Sequence, residues 1–141
     1  LPIDEFFVDS LTTALAPEEI ISELVLPVEP PGNTFAYRKL RQPASGFAIV
    51  GVAVRIRMTE EKIDMVRIGV TGLASKAFRA TNVEEFLYGS RGTPKDINTA
   101  SALVDEGIQA NTDLHASSDY RRQMARIYTA RALTDALERT T

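Results

Sequence analysis

Thr34-Phe35-Ala36-Tyr37-Arg38-Lys39-Leu40-Arg41, followed after a short interval by Ser45-Gly46-Phe47-Ala48-Ile49-Val50-Gly51-Val52-Ala53-Val54, decides how this chain folds. Side chains alternate along an extended strand. The first stretch, read as a strand over Asn33–Arg41, therefore places Phe35, Tyr37, Lys39 and Arg41 on one face. An aromatic ring beside two cations suits a planar, electron-accepting or anionic ligand. The plainer reading is an amphipathic edge strand whose charges face water. The nearly all-apolar second stretch reads as a rigid supporting strand.

Working outward, the intervening Gln42-Pro43-Ala44-Ser45-Gly46 reads as a turn. Phe47–Met58 reads as one long strand, with Val50, Val52, Val54, Ile56 and Met58 on one face. Gly51, Ala53, Arg55 and Arg57 take the other, and the small residues at 51 and 53 admit close packing there. Thr59-Glu60-Glu61-Lys62 is a polar hairpin turn, and Ile63–Leu73 is the return strand, with Val66, Ile68 and Val70 in phase. Connections this short make an antiparallel meander.

Upstream, Phe6, Phe7 and Val8 form a short apolar knot. Pro17-Glu18-Glu19 has the signature of a helical first turn, and Ser22–Leu26 alternates like a strand. Pro27, Pro30, Pro31 and Gly32 form a stiff connector. Downstream, Thr81-Asn82-Val83-Glu84 matches a capping box before a short helix through Leu87, ended by Gly89. Thr93-Pro94-Lys95-Asp96 starts a second helix, predicted to reach about Ala110. Ser118-Asp119 starts a third, with Met124, Ile127, Ala130, Leu133 and Leu137 as its apolar stripe. Strands first and helices last predict an α+β fold: an antiparallel meander of three to four strands, packed on one face by about three C-terminal helices.

Composition narrows function by exclusion. A chain of 141 residues is long enough for a core of its own, and its 44% apolar and 25% charged content is ordinary for a globular domain. A formal charge of −3 and a pI near 5.2 give no support to a general nucleic-acid binder. No apolar run approaches the roughly 18 residues of a membrane span, and no secretory leader is visible. There is no cysteine, so disulfides, thiolate nucleophiles and cysteine-ligated metal centres are excluded within this sequence. A cytoplasmic setting fits that count. The first residues, Leu1-Pro2, lack an initiator methionine, which points to a trimmed product or a piece of something longer.

Candidate chemistry is sparse. His115 is the single histidine; it sits between helices with no nameable acid–base partner, so it reads as structural or solvated. Glu18-Glu19, Glu60-Glu61 and Glu84-Glu85 fall at helix starts or turn tips, where helix dipole and solubility explain them. Gly69, Gly72, Gly89 and Gly92 match neither a dinucleotide fingerprint nor a phosphate-binding loop. Arg122 and Arg126, one helical turn apart, form either a solvated basic strip or a docking surface for an acidic partner. On the first strand, Tyr37 could stack on an isoalloxazine ring, and Lys39 or Arg41 could stabilise negative charge on it or hold a phosphate.

The ordered set Glu19–Pro27, Ala36–Arg41, Ser45–Val54, Val66–Leu73 with Arg79-Ala80, and Ser117–Arg122 resembles the C-terminal domain of the FAD-binding medium subunit of the molybdenum hydroxylases, the carbon monoxide dehydrogenase and xanthine dehydrogenase family. The likeness runs from about residue 18 to 139. It implies that residues 1–17 are the tail of a preceding FAD-binding domain and 18–141 the C-terminal domain. It implies FAD on the complete subunit, held mainly by glycine-rich loops absent here, with this domain covering one side of the flavin. The family's flavin-side aromatic position falls on Tyr37, and its nearby basic positions on Lys39 and Arg41. Many relatives carry an acid where this chain has Gly46. The implied partners are an iron–sulfur small subunit and a molybdopterin large subunit, together forming a dimer of heterotrimers; no nucleic acid or membrane span is expected. The rival reading is a non-catalytic interaction module docking through its sheet edge or its Tyr120–Arg126 helix. A free-standing hydrolase is more remote, because no nucleophile–base pair can be named.

Overall fold

The computed structural model describes residues 1–140; Thr141, the last residue of the expected C-terminal domain, lies outside them. In chain order the elements are α1 (Ile3–Phe6), β1 (Phe7–Asp9), β2 (Thr12–Thr13), β3 (Asn33–Arg41), β4 (Ala48–Thr59), β5 (Lys62–Thr71), β6 (Phe78–Arg79), α2 (Thr81–Leu87), α3 (Pro94–Ala102) and α4 (Ser118–Glu138). β1 and β2 form a small hairpin of their own. The other four strands make one antiparallel sheet in the order β3-β4-β5-β6. This is the α+β meander that the alternation predicts.

β4 is the centre of the sheet. Its Val50, Val52, Val54 and Ile56 are buried, as are Val66, Ile68 and Val70 of β5, and together they form the floor of the core. α4 lies over β3 and β4, α2 lies over β5, and α3 joins the two helices. α4 approaches closely because it presents Ala125, Thr129, Ala132, Leu133 and Ala136 to the sheet. The predicted stripe is therefore rotated: Leu133 lies at the centre, Met124, Ala130 and Leu137 only border the core, and Ile127 is half-buried. Small residues win the central positions because an interior packs by shape, and bulk there would hold the helix off the sheet.

Other differences have local causes. No helix forms at Pro17-Glu18; a lone turn caps itself, with the Ala16 amide donating to the Glu19 carboxylate at 2.8 Å, and nothing packs on it to offset helix nucleation. Ser22–Leu26 has no strand partner among the described residues. At α2 the expected capping box is absent, because Glu84 instead accepts from the Ile68 amide of β5 at 2.8 Å and pairs with Arg79. At the predicted start of α3 it is Thr93 and Asp96 that form a capping box. That helix stops at Ala102 rather than Ala110, where the chain turns to bury Asp105.

One corner of the sheet is tightly specified. Leu40 faces Val50 but Arg41 faces Ala48, so β4 carries an extra residue there, a bulge at Ile49. Gly72, leaving β5 at φ +81°, crosses this bulge so closely that a Cβ would lie 2.6 Å from the Ile49 carbonyl oxygen. Gly69, in mid-strand, has nothing within 4 Å of where a Cβ would be. Gly72→Ala is expected to destabilise the domain by about 2–4 kcal/mol, against a change within about 1 kcal/mol for Gly69→Ala. Urea unfolding of the two variants checks this, and equal effects contradict it.

Candidate functional site

The sheet face turned away from the helices is set by register. Tyr37 stands opposite Ala53, which stands opposite Gly69; Lys39 stands opposite Gly51, which stands opposite Thr71. Edge strand β3 thus supplies the large side chains, while β4 and β5 supply a low floor. Tyr37 leans across that floor: a Cβ on Gly51 would lie 2.9 Å from its phenolic oxygen and 2.9 Å from the Thr71 methyl. Absence of a side chain at 51 is what seats the ring, as the small residues on that face foreshadow. The ring remains 57% exposed. It is no part of the hydrophobic interior.

Lys39 and Arg41 converge on the turn after β3. The Lys39 ammonium donates to the Gly46 carbonyl at 3.2 Å. One Arg41 guanidinium nitrogen is 3.8 Å from where a Gly46 Cβ would stand. Gly46, at φ +73°, closes this turn with its amide on the Gln42 carbonyl at 2.9 Å. The structure thus brings Tyr37, Lys39 and Arg41 together on one exposed surface.

The neighbouring cations are occupied. Arg55 pairs with Glu29, and Arg57 holds Asp64 at 3.0–3.1 Å, the hydrogen bond that lowers the Asp64 carboxyl below its ordinary range. Arg67 and Arg79 share the buried Glu84 at the far edge. Lys39 and Arg41 have no carboxylate partner among the described residues. They are the charges of this face left to meet something else. His115 is in an exposed loop with only its backbone amide engaged, on Asp113. No cluster of metal-binding side chains exists among the described residues, and none of their helices is long and apolar enough to cross a membrane.

The basic helix start stays open to solvent, as its solvated reading expects, but its head groups are also engaged within the domain. Arg126 makes a two-pronged contact with Asp105 at 2.8 and 2.9 Å, and Arg122 donates to the carbonyls of Asp105 and Ile108 at 3.0 and 2.6 Å. Burial works against the Asp105 charge, but the two arginines more than offset it and keep its carboxyl below the ordinary value. The pair clamps the α3–α4 connection from the surface.

Sequence reasoning missed Arg121. It is only 4% exposed and donates to the Ile49 carbonyl at 2.6 Å, the Gly72 carbonyl at 2.9 Å and the Asp113 carboxylate at 2.6 Å. It ties the helix layer to the β4 bulge from which the Gly51 floor extends. Its helical phase with Ala125, Thr129, Ala132 and Ala136 was the available signal.

An α+β domain with a helix-covered core and one open, cation-bearing sheet face is the class so defined. The chain belongs to the CO dehydrogenase flavoprotein C-terminal domain family, whose model matches residues 35–136. It is 29% identical over 97% of its length to the nicotine 6-hydroxylase medium subunit of Paenarthrobacter nicotinovorans, covering 48% of that protein. It is 29% identical over 99% of its length to the carbon monoxide dehydrogenase medium chain of Hydrogenophaga pseudoflava, again covering 48%. A solved carbon monoxide dehydrogenase from Hydrogenophaga pseudoflava, which lacks the Mo-pyranopterin moiety of its molybdenum cofactor, superposes with a TM-score of 0.89 at 30% identity, over 96% of this chain and 47% of that one. The chain therefore spans about half the length of the curated relatives it matches.

Replacing Arg121 by Met leaves two carbonyls without their donor, and a loss of roughly 2–4 kcal/mol is expected on urea unfolding. Its partner gives a pH signature. The Arg121 hydrogen bond, followed by those from the His115 and Ala116 amides, holds the Asp113 carboxyl at about 2 against an ordinary 3.8. The folded value lies below the unfolded one, so this stabilisation is present above pH ~4 and disappears as pH falls towards ~2. Unfolding midpoints of the wild type and Asp113→Asn are expected to differ at pH 7 and to converge over that window; a pH-independent gap contradicts the assignment.

Proposed function

We propose that this chain is the C-terminal domain of the FAD-carrying medium subunit of a molybdenum hydroxylase, where its open sheet face covers one side of the flavin. The observation that carries the reading is the Tyr37–Lys39–Arg41 surface: an exposed ring seated over Gly51, beside two cations that have no carboxylate partner among the described residues. Family membership and the medium-subunit relatives support it.

The donor set fits part of FAD. Tyr37 presents a flat face for stacking on a ring system, and its hydroxyl together with the Lys39 and Arg41 head groups offers hydrogen-bond donors to carbonyl or phosphate oxygens. The sequence contains no phosphate-binding loop, so this surface suits an edge and one face of the cofactor, and the pyrophosphate is held elsewhere. Bound FAD supplies reversible electron acceptance. The contribution of this domain is to exclude water from one side, to orient the ring through Tyr37 and to favour negative charge through Lys39 and Arg41. In the complete assembly the partners are an iron–sulfur small subunit, which delivers electrons, and a molybdopterin large subunit, which selects the substrate. We place that assembly in the cytoplasm, in keeping with a sequence that contains no cysteine.

The 141-residue chain alone is expected to bind FAD weakly or not at all in a flavin-fluorescence titration; tight binding relocates the phosphate site to this domain. In the full-length subunit, Tyr37→Ala is expected to weaken flavin retention about three- to tenfold, the value of one ring-stacking contact. Gly51→Ala displaces the flexible Tyr37 ring and is expected to have a milder effect of the same kind without unfolding the domain. Unchanged flavin content and reoxidation rate in both variants return Tyr37 to the role of an ordinary surface residue.

A further inference from the structure

The open face owes its low floor to a backbone irregularity, and one buried cation holds that irregularity in place. On β4 the floor runs through Ala53, Gly51 and Ala48. Ala53 and Gly51 face Tyr37 and Lys39, and a Cβ on Gly51 would lie 3.6 Å from the Ala48 Cβ. The first two are separated by one residue, as strand alternation requires, but Gly51 and Ala48 are separated by two. The bulge at Ile49 makes the difference. In an unbroken ladder Arg41 would face Ile49, and the isoleucine side chain would stand on the open face. Instead Arg41 faces Ala48, and Ile49 packs against the core. The spot it vacates is the one beside the Tyr37 hydroxyl, which lies 2.9 Å from the same Gly51 Cβ position.

Arg121 is what fastens the bulge. It is only 4% exposed, and one of its terminal nitrogens donates to the Ile49 carbonyl at 2.6 Å and the Gly72 carbonyl at 2.9 Å. The other donates to Asp113 at 2.6 Å, which anchors the guanidinium from the helix side. Removing the bulge would reorient the Ile49 peptide and take its carbonyl away from that nitrogen. A buried charged donor would then lose an acceptor, which is costlier than never having the bond. Gly72 seals the crossing from the opposite strand, where a Cβ would lie 2.6 Å from the Ile49 carbonyl oxygen and 2.7 Å from that of Ala48.

We propose that Arg121 is a positioning residue for the flavin-covering face: by fixing the bulge it keeps Ala48, in place of Ile49, beneath Arg41, so that the floor beside Tyr37 stays open to a flat ring. Arg121 reaches no ligand itself. It acts through the side chain that the bulge selects, from the opposite side of the sheet. The inference rests on the reading of this face as a flavin cover, and it adds a residue that neither strand of that face supplies.

FAD retention and urea unfolding of the full-length subunit test it together. Arg121→Met is expected to weaken retention about tenfold, the effect of one bulky side chain forced into a fitted surface. Adding Ile49→Ala is expected to bring retention back to within about twofold of wild type while the urea midpoint stays as low as in Arg121→Met or falls further. A merely structural role would move both readouts the same way. Leu87→Ala, in the core beneath α2, is expected to lower the midpoint and leave retention unchanged. Ala48→Ile places the bulk on the open face with Arg121 intact. It is expected to weaken retention about tenfold at a near-normal midpoint, and it decides the matter if Arg121→Met does not fold. Unchanged retention in Ala48→Ile, or a loss in Arg121→Met that Ile49→Ala fails to relieve, overturns the inference. If Tyr37→Ala still weakens retention in the same assay, the functional reading survives that result. If Tyr37→Ala and Ala48→Ile both leave retention unchanged, the functional reading falls with the inference.

Discussion

The two faces of β4 carry opposite demands, and the rest of the structure follows from how they are met. One face must be branched and apolar to anchor the helix layer, and Val50, Val52, Val54 and Ile56 supply it. The other must be low, because a tyrosine from the next strand lies across it, and Gly51 with Ala53 supply that. A slip of one residue in register would exchange the faces, putting valines under Tyr37 and glycine into the core. The bulge at Ile49 and its close crossing with Gly72 oppose such a slip, and Arg121 joins both carbonyls to the helix layer. A single strand thereby couples the stability of the domain to the shape of its open face.

Charge is distributed by the same logic. Most arginines near the sheet or the last helix are answered by a carboxylate within the domain: Arg38 by Asp135, Arg55 by Glu29, Arg57 by Asp64, Arg79 by Glu84, Arg121 by Asp113 and Arg126 by Asp105. Exposed pairs of this kind contribute little stability one by one, but they fix where helices and turns sit. Against that background the Lys39 and Arg41 pair stands out by its surroundings. Among the described residues its acceptor is a carbonyl, that of Gly46, in place of an acid. An acid there would neutralise this corner; glycine leaves it positive.

The strands were readable from alternation alone, because a sheet with one buried face writes its period directly into the chain. β3 begins and ends where that pattern does, and β4 and β5 differ from it by only one or two residues at their ends. The start of α3 at Thr93-Pro94 was equally legible, since its signals lie within four residues. The three proposed flavin-side residues could be placed on one face for the same reason. Errors began where a residue's partner is remote in sequence. Glu84 was assigned to a local cap but is taken by the Ile68 amide and Arg79, and the link from Arg122 and Arg126 to Asp105 was not foreseen.

Local periodicity therefore settled the α+β class, the meander and the face bearing Tyr37, since each depends on side-chain direction along a single strand. Tertiary structure alone decided which cations remain free, which helix face is buried and how the Tyr37 ring is seated. Those outcomes are competitions among groups tens of residues apart, won by distance and burial in the folded chain, and no window of sequence contains all the competitors.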